Sequence, residues 1–335
     1  MKLNIKNNIF YRLYVLLKNR FGRGGFRNFY ELIGFLLLIF PPFNLIFSIF
    51  LKSIKDDKNF FLKNFLFNML NIGIGWGSLR YLDPRKKNYL GEHYNLYQIK
   101  KRDLKLYNKN IIKDFDCSLN EIKTLGYTNF GNYFNSKEVS EVKKHFLNAP
   151  FYTSQVPDQG RKIEKGFLIK DSYTDSRMRS VESSITLSCN LISKFLASDK
   201  ILDFLKSYFG YLPQLHNINT FATMPSSSSH YVMSPHRDYD HLFGLTVFIA
   251  WTKTSKDNGA TMYLNGSNNS SKAKDAKYTA LDCNPGDVYL VDTFGKHYGN
   301  PMVKDMRFAT WFRYGTIPNY SYLLNKPFFI DTESL

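Results

Sequence analysis

The chain has 335 residues, a formal net charge of +17, and 44% hydrophobic and 17% aromatic residues. This length can bury a sizeable core, so one or two domains are expected. The three cysteines have neither metal-ligand spacing nor the pattern of a disulfide framework, which excludes a disulfide-stapled scaffold and favours a reducing compartment.

The positive charge is concentrated at the N-terminus. Residues 1–102 hold 18 Lys/Arg and 5 Asp/Glu, which gives +13 of the total. A basic segment of this kind can face nucleic acid or an anionic membrane surface. No nucleic-acid-binding module accompanies it, so no nucleic-acid partner is expected. An anionic membrane surface, contacted through residues 1–80, is the favoured partner.

An apolar stretch supports the membrane interpretation. Residues 32–51 contain no charge and are long enough to span a bilayer, but Pro41 and Pro42 would break a helix at the midpoint. A hairpin that enters and leaves on the cytoplasmic face fits better than a single span. The alternative is that this stretch and the apolar residues 60–79 are buried helices packed on the following domain. The expected location is the cytoplasm, with residues 32–51 as the candidate anchor at the membrane.

The whole chain divides into four regions. Residues 1–105 form a basic, apolar, helical N-terminal region, 106–120 a linker, 121–318 a second domain and 319–335 a C-terminal tail. The second domain should open with a short strand and then a helix capped by Asn135 or Ser136. A further helical region is predicted over 181–208, and residues 155–179 are either a surface loop or part of the mouth of a binding site.

Short strands with Gly, Pro and Asn turns dominate the second half. This pattern predicts a mainly β fold with flanking helices, classed as α+β, whose core is a double-stranded β-helix of the jelly-roll or cupin type. The predicted strands cover 216–225, 231–238, 242–251, 260–265, 279–283, 287–292 and 307–316.

Two histidines and one carboxylate stand out among these strands. Residues two apart on a strand share a face, so His236 and Asp238 can meet one ion while Arg237 points away. A third ligand must come from a distant strand, and His297 follows an apolar strand pattern that a Pro-Gly turn begins. Two histidines and one carboxylate with open positions are the ligand set of non-haem Fe(II) oxygenases.

The order of these pieces resembles the phytanoyl-CoA dioxygenase family of Fe(II)/2-oxoglutarate-dependent oxygenases. The matching pieces are the His236-x-Asp238 motif, the segment 251–268, the Pro-Gly-Asp turn, and His297 with Arg307 ten positions later. The resemblance covers roughly the second half of the chain. It departs from the family at Asn268, where the family usually has histidine.

The resemblance implies three cofactors or co-substrates: Fe(II), 2-oxoglutarate and O2. Arg307 is the predicted partner of the distal carboxylate of 2-oxoglutarate, because a guanidinium can bind a carboxylate through two hydrogen bonds. Arg313 shares its strand face and is the weaker candidate. Asn219, or its neighbour Asn217, could reach the same pocket, and Trp251 is a candidate pocket wall.

The expected activity is hydroxylation of an unidentified small-molecule or lipid-linked substrate, with release of succinate and CO2. Related halogenases lack the carboxylate ligand, so Asp238 favours hydroxylation over halogenation. Two alternatives stay open. The first is a non-catalytic cupin-like binding or scaffold protein anchored by its N-terminal region. The second is a desaturase, epimerase or cyclase that uses the same ligands.

Overall fold

The computed structural model describes residues 91–92, 115–152, 163–164, 168, 178–225, 234–238, 243–269 and 277–315. Those from residue 115 onward belong to one compact unit. The predicted hairpin at 32–51, the apolar segment 60–79 and the tail at 319–335 lie outside these residues. The predicted linker is described only from residue 115, where helical structure begins. The proposed domain boundaries therefore stay predictions.

Five helices and eleven strands make up the described unit. The helices are α1 (Asp116–Thr124), α2 (Ser136–Phe146), α3 (Ser183–Leu187), α4 (Asn190–Leu196) and α5 (Asp199–Phe209). The strands are β1 (Tyr127–Asn132), β2 (Phe151–Tyr152), β3 (Ile163–Glu164), β4 (Arg179–Ser180), β5 (Gln214–Thr223), β6 (Gly244–Ala250), β7 (Thr261–Leu264), β8 (Tyr278–Leu281), β9 (Asp287–Val291), β10 (His297–Gly299) and β11 (Arg307–Gly315).

The strands form two antiparallel sheets. The major sheet has the order β1-β9-β6-β11-β5-β4-β2-β3, and the minor sheet has the order β10-β7-β8. His236 forms an isolated antiparallel bridge with His297 at the edge of the minor sheet. From β5 onward the chain thus alternates between the sheets, with the β7–β8 hairpin kept in the minor sheet. This alternation is the double-stranded β-helix, or jelly-roll, topology that the strand pattern predicts.

The major sheet buries both of its faces. In β9, Val288 and Leu290 pack in the cluster shared with the helices, whereas Tyr289 and Val291 pack with Tyr263 of the minor sheet. Successive side chains of a strand point to opposite faces, so each strand contributes to both layers. The second layer, between the two sheets, is the interior of the barrel. It is the layer that receives the site residues.

The helices follow local sequence signals. Asn135 caps α2. Its side chain accepts hydrogen bonds from the backbone N–H groups of Lys137 and Glu138, and the Glu138 carboxylate accepts one from the Asn135 backbone N–H. Val139, Val142 and Phe146 form the buried face, as the helical spacing predicts. The predicted helical region 181–208 is three helices, because short breaks separate α3, α4 and α5. Gly210 ends α5 in the left-handed conformation.

The described part of the chain contains no helix that is both long and apolar enough to cross a membrane. The candidate anchor at 32–51 falls outside that part.

Candidate active site

Three predicted ligands converge at one end of the barrel. The ligand atoms of His236, Asp238 and His297 all lie within 4.8 Å of one another. The His236 Nε2 is 3.8 Å from Asp238 Oδ1, and the His297 Nε2 is 3.7 Å from Asp238 Oδ2. Donor atoms about 2.1 Å from one ion lie at most about 4.2 Å apart, so small side-chain rotations suffice to bind a common ion. The structure therefore brings together the three residues that the sequence singled out.

Backbone contacts hold the two histidines in matching positions. The His236 N–H donates to the His297 carbonyl, and the His297 N–H donates to the His236 carbonyl, each at 2.9 Å. The Nδ1 of His236 lies 2.8 Å from the Ser234 carbonyl, and the Nδ1 of His297 lies 2.9 Å from the Gly295 carbonyl. A carbonyl can only accept, so each Nδ1 carries the proton and each Nε2 keeps a lone pair for a metal ion.

Burial also favours the neutral form of His297. Its side chain is 11% exposed. Desolvation lowers the pKa of His297 below its ordinary value, against the opposing effect of Asp238. A neutral imidazole can bind a metal ion without first losing a proton.

Arg237 points away from the three ligands, as the strand periodicity predicts. Its Nη1 donates to the carbonyls of Ser267 and Phe294, at 2.7 and 2.6 Å. These bonds tie the short segment that carries the first two ligands to two turns of the barrel. Arg237 therefore helps to hold His236 and Asp238 in position without facing the ion.

Asn268, where the resembled family usually has histidine, has a structural role. Its amide Nδ2 donates to the Ile122 carbonyl at 3.1 Å and to the Asp292 carboxylate at 3.3 Å. The residue ties α1 to the turn after β9.

Arg307 opens β11 on the face that looks into the barrel. Its Nη2 donates to Thr261 Oγ1 at 2.9 Å, and its guanidinium lies 5.5 Å from the Phe221 ring centre and 5.4 Å from that of Phe248. Desolvation lowers the pKa of Arg307 to about 10, so the group still carries its charge at neutral pH. The Nε is buried without a hydrogen-bond partner.

No carboxylate in the described part of the chain forms an ion pair with Arg307. A buried cation without an anionic partner is costly, because its hydration is lost and not replaced. Such a group is suited to bind an anionic ligand. Thr261 lies two residues along β7 from Tyr263, and Tyr263 pairs with His297. The anion position is thus about 7 Å along the barrel from the histidine pair.

Arg313, the weaker candidate for the distal carboxylate, already has an acidic partner. Its Nη2 donates to Asp238 Oδ2 at 2.8 Å. The two arginines lie on the same face of β11 but have different neighbours, and this difference favours Arg307 as the anion-binding residue.

Asn219 faces the barrel and pairs in register with Trp311 of β11. It is 5% exposed, and its amide Nδ2 is buried without a hydrogen-bond partner. The indole N–H of Trp311 is likewise buried and unpaired. Two N–H donors without an acceptor therefore lie on paired positions of β5 and β11. The sequence analysis missed Trp311, because an aromatic residue in a strand is usually part of the core.

Trp251 is not positioned as predicted. It is fully buried in the core between the major sheet and the helices, with its ring centre 5.0 Å from that of Phe134. Its indole N–H donates to Thr310, which lies on the helix-facing side of β11. The prediction that Trp251 lines the cofactor pocket is wrong, because the residue follows β6 on the opposite face of the sheet from Arg307.

Comparisons with known proteins find similarity at the level of structure. No protein-family model matches the chain, and no curated protein matches it. Similar solved structures include the non-heme alpha ketoglutarate dependent epimerase SnoN from nogalamycin biosynthesis, at 13% identity over 61% of this chain and 86% of that one, with a TM-score of 0.47. EctD from S. alaskensis with bound Fe has 15% identity over 64% of this chain and 80% of that one, with a TM-score of 0.43.

A further similar structure is HygX from Streptomyces hygroscopicus with nickel, 2-oxoglutarate and hygromycin B bound, at 13% identity over 60% of this chain and 86% of that one, with a TM-score of 0.41. Such low identities and TM-scores do not carry residue roles or substrates from one protein to another. Membership of the phytanoyl-CoA dioxygenase family therefore stays a prediction.

Proposed function

We propose that this chain is an Fe(II)- and 2-oxoglutarate-dependent dioxygenase that hydroxylates a small-molecule or lipid-linked substrate. The observation that carries the proposal is the pairing of two features inside one barrel. His236, Asp238 and His297 present three ligand atoms to one point. Farther along the same interior, Arg307 presents a buried charge that has no acidic partner among the described residues.

The donor set fits ferrous iron. Two neutral imidazoles and one carboxylate on one side of an ion leave the opposite side open, which is the arrangement of non-haem Fe(II) oxygenases. A structural zinc site would instead close the coordination sphere with a fourth protein ligand. Among the described residues, no further His, Cys, Asp or Glu joins this cluster.

The separation between the metal ligands and Arg307 also suits a short dicarboxylate. A five-carbon chain with four C–C bonds of about 1.5 Å extends roughly far enough to reach from the ion to Arg307. Arg307 and the Thr261 hydroxyl would bind its distal carboxylate. The buried donors of Asn219 and Trp311 lie between Arg307 and the metal ligands and would donate to the C1 carboxylate or the keto oxygen.

With iron bound, the reaction consumes substrate, 2-oxoglutarate and O2, and yields hydroxylated substrate, succinate and CO2. The protein's part is to hold the ligands, orient the co-substrate and exclude water. The His236–His297 backbone pair fixes the spacing of the two imidazoles, and Asp238 supplies the negative charge. The proposed lipid-linked substrate rests on the apolar stretch at 32–51, which would bring the barrel to a membrane surface.

The test is anaerobic addition of Fe(II) to the purified protein in the presence of 2-oxoglutarate. A weak visible metal-to-ligand charge-transfer band should appear in the wild type. His236→Ala, Asp238→Ala and His297→Ala should each abolish it, whereas Cys117→Ser, which alters an exposed residue of α1, should keep it. A wild-type protein that binds neither Fe(II) nor 2-oxoglutarate would support a non-catalytic binding or scaffold role.

A further inference from the structure

The contact between Arg313 and Asp238 has a role in the coordination of the ion. Arg313 lies on the barrel face of β11, and its Nη2 is 2.8 Å from Asp238 Oδ2. The side chains are 10% and 19% exposed. A charge-assisted hydrogen bond with so little solvent contact holds its partners firmly.

The neighbours of the pair restrict its movement. The Arg313 guanidinium lies 5.0 Å from the ring centre of Trp311, and that ring packs on Phe221 with a centre-to-centre distance of 4.8 Å. On the other side, the Asp238 backbone N–H donates to the Thr293 carbonyl at 2.9 Å. Asp238 is thus fixed at both its backbone and one carboxylate oxygen.

The two carboxylate oxygens of Asp238 have different surroundings. Each oxygen lies near one ligand histidine: Oδ1 is 3.8 Å from the His236 Nε2, and Oδ2 is 3.7 Å from the His297 Nε2. The guanidinium distinguishes them, because Arg313 Nη2 donates to Oδ2, and Oδ1 is the oxygen that we assign to the ion. The positive charge of Arg313 beside Oδ2 would repel a divalent ion from that oxygen.

We infer that Arg313 limits Asp238 to one metal–oxygen bond, so that a position of the ion stays open. The inference rests on the proposed function, in which 2-oxoglutarate occupies two positions and dioxygen needs a third. A carboxylate that bound through both oxygens would occupy that last position. Arg313 is therefore a positioning residue for the ligand set.

This role and a purely orienting role predict opposite effects on the affinity for the ion when Arg313 is removed. Removal of a positive charge near a divalent ion should leave the affinity for the ion equal or higher. The cost should fall on the open position instead. If Arg313 only oriented Asp238, its removal would weaken binding of the ion itself.

The experiment compares wild type with Arg313→Met, which removes the charge at similar length, and Arg313→Lys, which keeps the charge. Each full-length protein is loaded anaerobically with Fe(II), then with 2-oxoglutarate, and then titrated with nitric oxide as a probe of the open position. The charge-transfer band reports 2-oxoglutarate, and the electron paramagnetic resonance signal of the nitric oxide complex reports the open position.

In Arg313→Met, the band should persist and the affinity for nitric oxide should fall at least about tenfold, or about 1.4 kcal/mol. Arg313→Lys should restore most of that affinity.

The inference is overturned if Arg313→Met binds nitric oxide like wild type or if it loses Fe(II). It is also overturned if Arg313→Met loses the charge-transfer band, since Arg313 would then contact the co-substrate. A wild type without the band refutes the proposed function instead. Thermal melting identifies a variant that fails to fold. If Arg313→Met does not fold, Arg313→Lys decides: because it keeps the positive charge, it should keep the charge-transfer band and most of the nitric oxide affinity, and a loss of the band or a tenfold loss of that affinity would overturn the inference.

Discussion

Substitution of Arg307 by Met separates a binding role from a structural one. Desolvation lowers the pKa of Arg307 to about 10, and at about 1.4 kcal/mol per pKa unit the buried charge costs the folded protein about 3 kcal/mol at neutral pH. The bond to Thr261 returns about 1 kcal/mol, and the rings of Phe221 and Phe248 return about 0.5–1 kcal/mol each. These opposing contributions leave the free energy of unfolding of Arg307→Met within about 1 kcal/mol of wild type.

The affinity for 2-oxoglutarate should respond in the opposite way. Loss of one partner of a desolvated charge pair costs about 2–5 kcal/mol, which is a weakening of roughly 30-fold or more. Titration of the charge-transfer band measures this affinity, and thermal melting measures stability. Arg307→Lys keeps the charge without the planar fork and should lie between wild type and Arg307→Met.

A structural arginine would behave differently. If Arg307 has a partner that stabilises the fold, its removal should cost about 3–5 kcal/mol, a fall in Tm of roughly 10 °C for a domain of this size. A large fall in Tm together with unchanged 2-oxoglutarate affinity would refute the reasoning. A small change in Tm with a large loss of affinity is the expected result.

Three further predictions concern burial. Ellman's reagent should rapidly modify only Cys117 in the native protein, because the other two thiols are buried and burial raises the pKa of Cys283 to about 12; rapid modification of a second thiol would contradict this. Gly126→Ala should lower the free energy of unfolding by about 1–3 kcal/mol, since the added Cβ would overlap the Tyr263 ring, and urea denaturation measures the loss. Burial lowers the pKa of His297, so the unfolded chain binds this proton more tightly and the metal-free protein should lose stability as pH falls below about 6.5. His297→Gln should flatten that slope in melting curves, and an unchanged slope would rule out the assigned cause.

Features that depend on neighbouring residues were predicted correctly from the sequence. The two-residue period of a strand places His236 and Asp238 on one side and Arg237 on the other, and the contacts of Arg237 agree with this. The cap at Asn135 depends on neighbouring residues only, so it is found where predicted. The jelly-roll class followed from the spacing of short strands and turns.

The sequence was less informative about the faces of the sheet. Because the major sheet buries both sides, every position of β9 is buried and residues 288–291 are all apolar, so alternation gives no sign of which side faces the barrel. This is why Trp251 was assigned to the pocket and Trp311 was overlooked. The three-residue strand β10, which carries His297, is also too short to leave a pattern.

The sequence alone determined which residue types could bind a ferrous ion and a dicarboxylate, since ligand chemistry belongs to the side chains themselves. Only the tertiary structure decided how those side chains are divided between roles. Arg307 and Arg313 are equivalent in sequence, six residues apart on one strand face. Asp238 neutralises Arg313, and Arg307 is left without an acid among the described residues, because the antiparallel register brings the end of β11 to the metal ligands and its start to Thr261.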